Sequence, residues 1–127
     1  MSALPSKSGP SRPAHRLSIR LDLAGGARIG PGKIALLEEI ARSGSISAAG
    51  RGLKMSYRRA WELVEDLNRH LGVAVLETAA GGSGGGGARL TVAGQTLVAQ
   101  YRAIEAATTA AAAAHLEVLN ALGGPAE

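Results

Sequence analysis

A chain of 127 residues with 46% hydrophobic content holds one domain with extensions, and with 2% aromatics and no Phe its core must rest on Leu, Ile and Val. A net charge of +4 and a pI of about 10.1 favour a polyanionic partner without naming one. The absence of cysteine excludes a disulfide framework and a thiolate metal site, and there is neither an apolar run of membrane-spanning length nor a secretory signal's apolar centre, so no membrane partner is expected and the cytoplasm is the expected compartment.

Residues 1–16 are rich in Ser, Pro and basic side chains and read as a disordered basic tail, either inert or an arm that brushes phosphates. From Leu17 the apolar residues Leu17, Ile19, Leu21 and Leu23 alternate with Ser18, Arg20 and Asp22, the period of a half-buried strand. Ala24-Gly25-Gly26 turns the chain, and Ala27-Arg28-Ile29 is expected to return as a short second strand. Gly30-Pro31 is a helix start. The helix predicted over 31–42 puts Ile34, Leu37, Ile40 and Ala41 inward and Lys33, Glu38, Glu39 and Arg42 outward, and Gly44 ends it. Ser45 caps a shorter helix that runs to Leu53 with Ile46, Ala49 and Leu53 inward. Gly50 and Gly52 inside it each cost about 1 kcal/mol relative to alanine, a cost offset only where another helix crosses closely.

After the short connection Lys54-Met55, Ser56 stands as the N-cap of a third helix running to Leu71. Ala60, Leu63, Val64, Leu67 and Leu71 form its apolar face; Arg58, Glu62 and Arg69 point directly away, with Arg59 and Trp61 on the flanks. Gly72 closes it. A tight turn between the second and third helices is the helix-turn-helix arrangement, in which the second member of the pair enters a DNA major groove. Strands are predicted at 74–78 and 88–91 around the glycine run 81–87, which makes a wing directly after the recognition helix. Its glycines let backbone amides approach a sugar-phosphate chain, and Arg89 stands beside the tip. Gly82-x-Gly84-x-x-Gly87 spells the dinucleotide fingerprint, but a strand rather than a helix follows and no Gly-Lys-Ser/Thr is present, so a nucleotide cradle is set aside.

Thr91 caps a final helix predicted over 92–122, about 45 Å long at 1.5 Å per residue, stopped by Gly123-Gly124-Pro125, with 123–127 as a tail. Leu97, Tyr101, Ile104, Thr108, Ala111, His115, Val118 and Leu122 recur at alternating spacings of four and three, the coiled-coil period. Thr108 and His115 weaken that seam, while the alanines at 110–114 permit close helix approach. Because so much of the helix extends past so small a domain, a homodimer through it is expected rather than packing on its own domain. His15, His70 and His115 are scattered, and the pairs Glu38-Glu39 and Glu65-Asp66 splay around their helices, so no metal site, cofactor site or catalytic constellation is found and no enzyme is expected. The expected fold is mainly α with a small β-wing, a winged helix-turn-helix over 17–91 followed by a long C-terminal dimerisation helix over 92–122.

Three stretches carry a family resemblance: Gly44-Ser45-Ile46-Ser47-Ala48-Ala49, then Met55-Ser56-Tyr57-Arg58-Arg59-Ala60-Trp61, then the glycine tip followed by Leu90-Thr91-x-x-Gly94. Over residues 17–102 the chain resembles the N-terminal domain of the molybdate-responsive regulators of ModE type, and more distantly the LysR-type DNA-binding domain. The resemblance implies a dimeric winged helix bound to a partly palindromic operator, with Ser56, Tyr57, Arg58 and Arg59 at the start of the recognition helix and the glycine loop as the wing. The residues assigned to double-stranded DNA are Ser45, Ser47, Arg51, Lys54, Ser56, Tyr57, Arg58, Arg59, Glu62, Gly84, Gly85 and Arg89. Arg58 and Arg59, with Ser56 and Tyr57, are expected at base edges or adjacent phosphates, and Lys54, Arg51 and Arg89 on the backbone. Lys54 departs from the glycine that the family often has at this turn, leaving either a strained backbone or a phosphate contact. Full-length family members carry C-terminal oxyanion-binding domains and this chain ends at Glu127, so molybdate sensing in the family's manner is not expected of it. The alternative function is a helical protein-interaction module that uses the C-terminal helix without specific DNA binding.

Overall fold

The computed structural model describes residues 17–79 and 87–123. The tail assigned to 1–16 and the wing tip with Gly84 and Gly85 lie outside the described residues, as do residues 124–127. The elements in chain order are β1 (Leu21–Asp22), β2 (Arg28–Ile29), α1 (Pro31–Ser43), α2 (Ile46–Gly52), α3 (Tyr57–Leu71), β3 (Leu76–Ala79), β4 (Gly87–Leu90) and α4 (Val92–Leu122). Two antiparallel two-stranded sheets flank the helices, one of β1 and β2 and one of β3 and β4.

The strand expected over 17–23 is shortened to Leu21–Asp22 because its partner is two residues long, pairing Leu21 with Ile29 and Asp22 with Arg28. The alternation is nonetheless real, since Leu17, Ile19 and Leu21 are half-buried and Ser18, Arg20 and Asp22 exposed. Leu23, expected inward, is exposed, because the chain has already entered the turn that joins Leu23 N to Ala27 O at 2.9 Å. Gly26 sits in that turn at φ +99°, a conformation few side chains tolerate.

Pro31 starts α1 as expected, and Gly44 at φ +78° ends it. Three of its residues correct the wheel. Ala41 is exposed, and Leu36 joins Ile34, Leu37 and Ile40 in the interior, because α1 packs against α2, α3, α4 and β4 and so buries a wider arc than one stripe. Lys33, expected outward, is half-buried: its Nζ donates to Asp66 Oδ2 at 2.8 Å and to the Arg28 carbonyl at 2.8 Å. Asp66 also accepts from Arg69 at 2.8 Å, so this one carboxylate ties α3 to α1.

The caps form as read. Ser45 Oγ accepts from Ala48 N at 3.0 Å and Ser56 Oγ from Arg59 N at 3.0 Å, each satisfying a first-turn amide that would otherwise lack a partner. Gly50 is needed for a different reason than a crossing helix. The Met55 amide returns to the Gly50 carbonyl at 2.9 Å, and a Cβ on Gly50 would lie 3.1 Å from the Met55 carbonyl oxygen. The turn itself fills the space, which holds α2 and α3 at a fixed crossing.

The hairpin strands sit one or two residues from their expected bounds, and the residues before and after them explain it. Val75 is fully buried; its amide donates to Asn68 Oδ1 at 2.9 Å and its carbonyl accepts from Thr91 N at 3.0 Å. Ladder pairing therefore begins only at Leu76, opposite Leu90. The hairpin base is also fastened to the end of α1, where Ala88 N donates to Gly44 O at 2.9 Å. Thr91 caps α4, and Gly94 in its first turn packs so tightly that a Cβ there would collide with the Val75 carbonyl oxygen.

Tyr101 is buried on α4 and donates its hydroxyl to the Ile19 carbonyl at 2.7 Å, an environment that raises its pKa chiefly through desolvation. Next to it Arg102 bonds both oxygens of Glu38, at 2.7 and 2.9 Å, and so fastens α4 to α1. Beyond this clamp, the residues of α4 from Ala103 on are exposed or half-buried.

Candidate nucleic-acid interface

The exposed side of α3 is the candidate surface, and the fold sets it by burying Ala60, Val64 and Leu67 opposite. Arg58, Arg59 and Glu62 have side-chain exposures of 89%, 60% and 56%, so all three reach solvent. Glu62 lies 3.6 Å from Arg58 Nε and 3.8 Å from Arg59 Nη1. Tyr57 is 55% exposed and meets Trp61 edge to face, with ring centroids 6.3 Å apart and planes at 78°.

The surroundings of α3 divide into two depressions. On one side a groove of about 380 Å³ is lined by Ser45, Ile46 and Ser47 of the α2 start, Tyr57 and Trp61 of α3, and Thr78, Ala79, Gly87 and Ala88 of the hairpin. On the other a depression of about 660 Å³ is lined by Arg58, Arg59, Trp61, Glu62, Leu63, Glu65, Asp66, Arg69 and Lys33. The Tyr57–Trp61 pair thus forms a ridge with the hairpin on one side and the guanidinium groups on the other. A ridge of this kind, built on a helix and flanked by a hairpin, presents aromatic edges and charge-bearing hydrogen-bond donors to a single ligand face.

The other residues assigned from sequence fall around it. Ser47 is exposed and accepts from Arg51 Nη1 at 3.4 Å, which holds Arg51 along α2. Ser45 and Ser56 are both used as helix caps, Ser45 half-buried and Ser56 exposed. Lys54 is exposed at φ 60°, the one non-glycine residue with positive φ among the described residues; its amide donates to the Arg51 carbonyl at 3.2 Å, while its side chain has no hydrogen bond or ion pair among them. Arg89 projects from β4 with 82% side-chain exposure, and its Nε donates to Glu77 Oε1 at 2.9 Å across the strand pair. Gly84 and Gly85 lie outside the described residues.

The helical wheel puts Trp61 on a flank, outside the residues assigned to DNA, yet it borders both depressions. Its signal was present in the sequence: two aromatics spaced i, i+4 on a polar helix face, in a chain where aromatics are 2%. Among the described residues no group of three or more His, Asp or Glu could hold a metal ion, and no helix is long and apolar enough to cross a membrane.

Residues 32–95 match the family described as bacterial regulatory helix-turn-helix protein, lysR family. The chain is 52% identical over 81 residues to the molybdenum-pterin-binding protein MopB of Rhodobacter capsulatus, covering 64% of this chain and 30% of that protein. It is 44% identical over 94 residues to MopA of the same organism, covering 74% of this chain and 36% of that protein. Against the DNA-binding transcriptional dual regulator ModE of Escherichia coli K12 it is 44% identical over 71 residues, covering 56% of this chain and 27% of the regulator. The matched part of the chain thus spans about a third of the length of these relatives. Among solved structures, the crystal structure of the CbnR_DBD-DNA complex shares the fold with a TM-score of 0.54 at 23% identity, over 68% of this chain and 95% of that one.

Proposed function

We propose, on the premise that the chain belongs to the lysR family of bacterial regulatory helix-turn-helix proteins, that it is a sequence-specific, double-stranded-DNA-binding transcription regulator of ModE type. In this reading α3 enters the major groove with Ser56, Tyr57, Arg58 and Arg59 at base edges and adjacent phosphates, while Arg51 and Lys54 hold register on the backbone. The β3–β4 hairpin, with Arg89, rides on the flanking backbone. The unit over 17–91 carries the binding and α4 pairs two copies, so a two-fold molecule meets a partly palindromic site. It works in the cytoplasm, without catalysis and without a cofactor.

The observation that carries this reading is the shared surface: the start of α2, the first turns of α3 and the hairpin line one groove, with Arg58 and Arg59 exposed on the ridge beside it. The dimer is supported by Ile104, Val118, Leu119 and Leu122, apolar side chains exposed along α4. Because the relatives named MopA and MopB carry molybdenum in their descriptions, promoters of molybdenum-handling genes are the first duplexes to offer it.

Fluorescence anisotropy on duplexes enriched from a random pool tests the proposal. Affinity should fall linearly with salt on logarithmic axes. Arg58→Ala should cost about 1–3 kcal/mol and relax preference at one base pair, whereas Lys54→Ala should weaken all sequences alike and reduce the salt slope by about 1. Affinity that does not change with salt would defeat the proposal.

A further inference from the structure

Each arginine assigned to DNA on α3 or the hairpin is matched to a carboxylate of the same element. Glu62 serves both Arg58 and Arg59 within α3, and Glu77 serves Arg89 across the β3–β4 pairing. All five side chains are more than half exposed, where ion pairs add little to stability. Two pairs elsewhere fasten one element to another, Lys33–Asp66 joining α1 to α3 and Arg102–Glu38 joining α4 to α1, while Arg42–Glu39 and Arg102–Glu105 lie within one helix. The three pairs on the candidate interface fasten nothing new, since two lie within about a turn of α3 and the third spans strands already hydrogen-bonded. What distinguishes them is position: they set carboxylates on a surface that must approach a polyanion.

We infer that Glu62 and Glu77 are built-in competitors of DNA phosphate, holding Arg58, Arg59 and Arg89 in the free protein, and that Glu62 sets the discrimination between operator and bulk DNA. This rests on the regulator reading above. Binding exchanges each arginine–carboxylate pair for an arginine–DNA contact and leaves the carboxylate facing the duplex. For Glu62, on the helix that enters the major groove, a base pair presenting an amino group there, such as the cytosine N4, supplies a hydrogen-bond donor. A sequence without that donor leaves the charge unpartnered in the negative field of the duplex. Glu77 lies on the hairpin, which meets only backbone, so its repulsion is the same on every sequence.

The test uses the full chain with E62Q, E77Q and the double variant, titrated by anisotropy across a salt series. Two probes of equal length are used, a duplex enriched from a random pool by the wild-type protein and a random-sequence duplex. E77Q should bind both duplexes about five- to tenfold more tightly, with the salt slope steeper by about 0.9. E62Q should tighten strongly on the random duplex, while on the enriched duplex the relieved competition is offset by the loss of the charged acceptor for the base amino group, so that the ratio of the two affinities falls by about tenfold. Equal weakening on both duplexes would overturn the inference, because the carboxylates would then merely hold the arginines in their binding posture. Unchanged affinities and slopes would overturn it as well. Failure of the wild-type protein itself to bind either duplex at low salt would refute the regulator reading instead, and the wild-type titration alone reveals it.

Discussion

Lys54 shows how a single backbone angle can be read both as a cost and as a tool. At φ 60° its Cβ crowds the following carbonyl, a strain of about 1–2 kcal/mol that glycine avoids. Replacing it with glycine gives back part of that gain through the greater freedom of the unfolded chain. Lys54→Gly should therefore stabilise the domain by about 0.5–1 kcal/mol in urea unfolding while weakening DNA binding; a less stable variant would contradict the strain. Acid behaviour follows from carboxylates held low by hydrogen bonds, of which Glu38 and Asp66 join elements and Glu39 pairs with Arg42 within α1. Hydrogen bonds from Arg102 hold Glu38 below the ordinary carboxylate range, and the bond from Lys33 does the same for Asp66. The unfolded chain thus takes up protons before the folded one, so the stabilisation is present above about pH 4 and is lost as pH falls through the folded values. Arg102→Met should flatten the acid limb of melting temperature against pH, and an unaltered limb would contradict the assignment. The caps Ser45, Ser56 and Thr91 were legible in the sequence because each acts within three residues of itself. The Lys33–Asp66 contact was not, because its partners are 33 positions apart.

At the scale of elements, period and punctuation located every helix to within a residue or so, since Pro31, Gly44 and Gly72 act locally. The elements whose length depends on a partner were less legible. β1 stops where the two-residue β2 stops, and β3 starts late because Asn68 and Thr91 take the polar groups of Val75. Gly94 shows the same dependence, since nothing in its own turn announces the Val75 carbonyl it must clear. For α4 the coiled-coil period was readable, and Tyr101 belongs instead to the interior of its own domain. Of the large apolar residues left exposed on α4, Val92 and Ile104 lie in its first half and Val118, Leu119 and Leu122 at the far end. Near the start of α4, Leu71, Val73, Ala93, Thr96, Leu97 and Gln100 line an apolar depression of about 340 Å³. Leu119→Asp should leave the melting of the domain unchanged at low concentration, yet shift sedimentation from dimer to monomer and weaken binding to a two-half-site duplex. A variant that still sediments as a dimer would contradict the role given to α4.

For the whole molecule, the features that matter are those that converge from distant parts of the chain. The groove beside α3 draws on α2, α3 and both hairpin strands, held by the Ala88–Gly44 and Val75–Asn68 bonds that no local pattern foretold. On α3 the sequence indicated which residues face outward, but the division of that helix into a hairpin side and an arginine side, with Trp61 on both, emerges only from the packing. The central claim is that this composite surface, rather than any single helix, receives the duplex. Its most direct measurement is the amide chemical-shift perturbation of the labelled chain titrated with an enriched duplex. The account predicts shifts concentrated over 45–62 and in the hairpin strands at 76–79 and 87–90, with α4 beyond Tyr101 unmoved by added DNA. Shifts confined to α4, or spread evenly with none favouring α3 and the hairpin, would contradict it.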